Sequence, residues 1–66
     1  MNQNERDSLW DRLEFIGMML DREYRRKNDA IDEGDADTLD DANRCIAAWK
    51  EEKREIERKL KESARL

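Results

Sequence analysis

Apolar residues recur through the first half of the chain at Leu9, Leu13, Ile16, Leu20, Tyr24 and Ile31, with spacings of 4, 3, 4, 4 and 7. Such spacing lines one face of an α-helix. Lys27 falls between Tyr24 and Ile31, where its methylene stem can lie along apolar neighbours while the ammonium reaches water. A second stripe follows at Leu39, Ala42, Ile46, Trp49, Lys53, Ile56, Leu60 and Ser63, an unbroken 3-4-3-4 alternation with Lys53 and Ser63 as its polar members. A disordered chain has no reason to hold this register, so the 48% of charged residues is read as the solvated side of two helices.

The punctuation agrees with the stripes. Gly34 suits the left-handed position that ends a helix, and Asp35 or Asp37 can cap the next one. Asn4 with Asp7, or Ser8 with Asp11, resembles a capping pair at the first start. The spacing predicts helices over residues 5–33 and 38–64, joined by a turn at 34–37, in one domain covering 1–66. At 1.5 Å per residue each helix is about 42 Å long, and so short a connection returns the chain antiparallel. The expected fold is all-α: an antiparallel two-helix hairpin pairing Tyr24 with Ile46, Leu20 with Trp49, Leu13 with Ile56 and Leu9 with Leu60.

A lone hairpin has one shared seam. Chains below about 70–80 residues usually add a disulfide, a metal or a partner to that much core. The single cysteine, Cys45, cannot close an intrachain disulfide, and the chain has no histidine to serve as a metal ligand. Association is the remaining route. Residues 15–20 read Phe-Ile-Gly-Met-Met-Leu; Ile16 and Leu20 face the seam, whereas Phe15, Met18 and Met19 point elsewhere. Trp10 and Gly17 fall on one flank, and Ala47 and Ala48 offer a small outward surface on the second helix. These seven residues form the expected protein interface, and the economical product is a homodimeric four-helix bundle.

Composition argues against catalysis. Nucleophile candidates Ser8, Thr38, Cys45 and Ser63 have no histidine to activate them, and no glycine-rich phosphate loop occurs. No cofactor is expected. Seven acids and no base lie between Asn28 and Asn43. Aligned on Gly34 as a calcium loop, they would put Ile31 at a ligand position, so they are read as caps and solubilising charge. The net charge of −4 gives no general attraction for nucleic acid phosphates. Arg22, Arg25, Arg26 and Arg44 nonetheless gather as a possible contact for RNA or an acidic partner. Lacking an apolar run of membrane length or a leader-like N-terminus, the chain is expected in the cytoplasm.

In size and layout the chain is similar to the plasmid copy-number regulator Rop, a dimerising helical hairpin that binds RNA. It is similar too to the small hairpin co-chaperones of type III secretion, and such hairpins occur among small phage and plasmid proteins. The resemblance is architectural and carries over no functional residues. The expectation is a non-enzymatic interaction module acting by helix–helix association, as adaptor, inhibitor or assembly factor. It would bind itself and another protein. Two alternatives stand beside it: a Rop-like nucleic-acid-binding regulator, and an acidic decoy of a nucleic-acid-handling enzyme.

Overall fold

The computed structural model describes residues 2–64. Two helices, α1 (Gln3–Glu33) and α2 (Ala36–Ala64), pack against each other along their length in a rod of 49 × 15 × 12 Å. The hairpin expected from the stripes is therefore present, with ends that differ slightly. Neither Asn4 nor Ser8 caps α1. Asn2 does, accepting the Glu5 amide at 2.9 Å through its Oδ1. The extended backbone of Asn2 starts the helix two residues before Asn4 and six before Ser8, and the acids Asp7 and Asp11 lie inside it.

The turn is tighter than four residues. Gly34 adopts φ 69° and ψ 27°, the Gly34 amide donates to the Ile31 carbonyl, and the Asp35 amide donates to the Ala30 carbonyl at 2.9 Å. This pair of bonds is a Schellman ending, which satisfies carbonyls the helix leaves open. Asp35 then caps α2 at once. Its carboxylate accepts the Thr38 amide at 3.1 Å and the Thr38 hydroxyl at 2.6 Å. Asp37, the alternative cap, is already helical.

Ile16, Leu20, Ile46, Ile56 and Leu60 form the core, with Leu9, Leu13 and Trp49 packed against it. Towards the turn the seam departs from the predicted stripe. Tyr24 and Ile31 are exposed, and Glu23 and Ala30 are buried instead. Counted from Leu9, the buried line runs 9, 13, 16, 20, 23, 27, 30, the same heptad alternation as α2. A two-residue turn holds the helices close at this end, and the small Ala30 and Ala42, 2% and 0% exposed, are what fits between them. Glu23 is tolerated because Arg26 donates to its carboxylate at 3.0 Å. Of the two polar members of the predicted α2 stripe, Ser63 is half-buried, whereas Lys53 is exposed and its half-buried place is taken by Glu52.

Candidate interaction surface

The two sides of the seam differ. On one side the helices are tied together. Arg12 of α1 makes two hydrogen bonds to the Glu52 carboxylate, one of them 3.0 Å from its Nη2. Its guanidinium lies 5.0 Å from the Phe15 ring centre and 5.4 Å from that of Trp49, within cation–π range. Phe15 and Trp49 meet edge-to-face at 5.8 Å. Hydrogen bonding from Arg12 holds the Glu52 carboxyl below its ordinary range, and the same bond raises the guanidinium. Nearer the turn, Arg26 reaches both Glu23 of its own helix and Asp41 of α2. Among the described residues these are the two places where an ion pair crosses between helices.

The other side carries no crossing ion pair among the described residues. There the amine of Lys50 sits 5.8 Å from the centre of the Tyr24 ring.

The residues predicted as an interface do not share one surface. At 100° per residue, Trp10 and Gly17 lie on the Tyr24 side of the seam and Phe15 and Met19 on the opposite, tied side. Met18 points away from the seam altogether. Trp10 is 56% exposed, Met18 66% and Phe15 42%; Met19 is half-buried, and Phe15 is engaged with Trp49 inside the hairpin. Gly17, Ala47 and Ala48 are exposed. Tyr24 and Ile31, assigned to the core by their hydropathy, join the exposed apolar residues instead. Among the described residues the large exposed apolar side chains, Trp10, Phe15, Met18, Tyr24 and Ile31, all belong to α1, whereas the exposed face of α2 is polar apart from alanines. The missed signal was the heptad itself: continuing 4-3-4-3 beyond Leu20 lands on residues 23, 27 and 30.

The candidate nucleic-acid contact is largely neutralised by its neighbours. Arg25 pairs with Asp21 at 2.9 Å, Arg44 with Asp40 at 3.0 Å, and Arg26 with Glu23 and Asp41. Arg22 lines an open groove beside Met18 and Met19. In that groove Arg22, Arg25 and Arg26 alternate with Asp21, Asp29, Glu33 and Asp35, so the basic charge is offset. The acids of the turn do not converge either: among the described residues no group of three acidic or cysteine side chains is placed to hold a metal ion. Cys45 is a free, half-buried thiol. No helix among the described residues is long and apolar enough to cross a membrane. No protein family, no curated protein and no solved structure matches this chain significantly.

Proposed function

We propose that the protein is a non-enzymatic interaction module that works by helix–helix association, and that α1 is the helix it presents. One observation carries this reading: among the described residues, the large apolar side chains left exposed are all on α1. Single exposed apolar residues are ordinary, but several confined to one of two otherwise similar helices are a directional feature. A symmetric four-helix bundle of two hairpins would draw an apolar flank from both helices, and α2 offers only alanines outside the seam. The neutralised arginines likewise give less support to a nucleic-acid contact than to a protein one.

The test is site-specific photo-crosslinking in the native host, with the crosslinker at Trp10, Met18 or Ile31 of α1 and at Ala48, Glu51 or Arg58 of α2. Adducts of defined mass are expected from α1 positions and not from α2. Adducts from neither helix, or from α2 alone, would remove the reading. Light scattering over a concentration series, read beside the far-UV helix signal, then separates association with a second copy from association with a different protein.

A further inference from the structure

Trp10, Gly17, Tyr24 and Ile31 repeat every seven residues. In a helix whose seam follows heptads, residues seven apart stay on one line parallel to that seam. The four therefore form a ridge about a quarter turn from the seam, running some 31 Å along α1. It lies on the side where no ion pair crosses between the helices among the described residues, and apart from Lys50 over the Tyr24 ring its side chains stay exposed.

Gly17 sits at the middle of this ridge. Glycine weakens a helix interior, and nothing within the hairpin calls for it here. Its φ is not positive, and a Cβ built on it meets no atom within 4 Å. A bare stretch of backbone between Trp10 and Tyr24 makes sense for a neighbouring helix that passes close at that point. Charge then says what kind of helix. Asp7, Glu14 and Asp21 also repeat every seven residues, along the edge of the ridge that faces away from α2. All three are exposed; Arg25 pairs with Asp21, and the Lys50 amine of α2 lies at the opposite edge of the ridge, over the Tyr24 ring, leaving Asp7 and Glu14 without an ion pair among the described residues.

A second copy of this chain fits poorly. Antiparallel twofold pairing on the ridge places this acidic edge against its own copy. Parallel pairing sets two turns side by side, each with seven acids and no base between Asn28 and Asn43. We propose that the Trp10–Ile31 ridge docks a basic amphipathic helix of another protein. The apolar stripe of that helix lies on the ridge, its backbone passes over Gly17, and its lysines or arginines follow Asp7, Glu14 and Asp21. The assignment rests on α1 being the interaction helix proposed above.

The experiment uses two labelled three-heptad peptides with leucines at the stripe positions, one flanked by lysines and the other by glutamates. Binding to the full chain is followed by fluorescence anisotropy. The lysine peptide is expected to bind at least tenfold tighter than its twin and to weaken with salt. Gly17→Gln keeps the helix while filling the gap, and should lose at least tenfold in affinity with its far-UV helix signal intact; Met18→Gln, off the ridge, should not. Equal binding of the two peptides, or an unchanged affinity for Gly17→Gln, overturns the proposal. So does a chain dimer that Gly17→Gln dissociates, which would make a second copy the occupant. If α1 crosslinks persist while the peptides are not distinguished, the interaction reading stands and the basic helix does not. If α1 gives no crosslinks, the broader reading goes with it.

Discussion

Replacing Glu23 by leucine should stabilise the isolated hairpin. Glu23 is 8% exposed and lies on the seam line between Leu20 and Lys27. A leucine of similar length there would be buried to the same extent beside Leu20. Full burial of such a side chain is favourable by about 1.5–3 kcal/mol, reduced by roughly 10–40% because the unfolded chain already hides part of its surface. The opposing loss is the contact between Glu23 and Arg26. Arg26 does not become an orphan, because Asp41 on α2 still accepts from it and its side chain is 37% exposed to water. Exchanging a buried ion pair for a packed apolar group is commonly neutral or stabilising, provided no charge is stranded. The expected net gain is about 1–2 kcal/mol, or a rise in Tm of roughly 4–8 °C per kcal/mol for a chain of this size. The assay is urea denaturation followed by the far-UV helix signal, with wild type and variant at one protein concentration so that any association weighs on both equally. A higher midpoint at unchanged slope is the expected result. A lower midpoint would refute the reasoning, because Glu23 would then stabilise through Arg26 by more than leucine gains by packing.

Gly34→Ala should destabilise by about 1–2 kcal/mol, the cost of a Cβ in the left-handed region, since no atom lies within 4 Å to add a clash; a thermal midpoint within error of wild type would show that the turn adopts another conformation. Ile16 is 0% exposed, so Ile16→Ala should cost about 2–5 kcal/mol, against about 0.5–1.5 for Ile16→Val. In a chain this small the alanine variant should show a helix signal much reduced at room temperature, and retention of wild-type stability would misplace the core. Acid should also weaken the fold. The Asp35 carboxyl is held below its ordinary value of 3.8, first by the Thr38 hydroxyl and then by backbone amides, and Glu52 is held below 4.5 by Arg12. Carboxyls with lowered folded values bind fewer protons folded than unfolded. Their stabilisation is therefore complete above the ordinary values and lost as pH falls through the lowered ones. Asp35→Asn should flatten this acid limb in a pH series of urea midpoints while leaving the contribution of Glu52, and a limb of unchanged steepness would remove Asp35 as a source.

Much of the hairpin was legible because its signals are local and redundant. Gly34 marks the end of α1 in the residue type that a left-handed conformation favours, and Asp35, one of the two expected caps, follows it. The α2 stripe keeps its heptads with one break, at Lys53. Helix 1 was harder because two rules conflict beyond Leu20. Hydropathy nominates Tyr24 and Ile31 for burial, whereas rod geometry nominates residues 23, 27 and 30. Geometry prevails. Turning α1 to bury Tyr24 and Ile31 would rotate Ile16 and Leu20 off the seam, and the two-residue turn leaves room only for an alanine where Ile31 would have gone. The interface was less legible still. Residue types identified Trp10, Phe15 and Met18 as apolar, but only the folded pairing shows Phe15 closing one side of the seam on Trp49 while Trp10 stays clear on the other.

These departures have a common origin. A glutamate in the core line and a tyrosine outside it are neighbours in sequence, as are Ala30 in the core and Ile31 outside. At both places α1 has the larger apolar side chain one residue beyond its own seam. At the first of these places a sequence selected only for a stable hairpin would have put an apolar side chain in the seam, which is why leucine at position 23 is expected to stabilise; at the second, the close approach of the helices reserves the place for alanine. The arrangement instead lowers apolar burial between α1 and α2 and extends an apolar line from Trp10 to Ile31 on the surface. Weak packing near the turn and an exposed ridge are thus one feature of the chain, and a partner seated on that ridge would recover the burial that the hairpin alone forgoes.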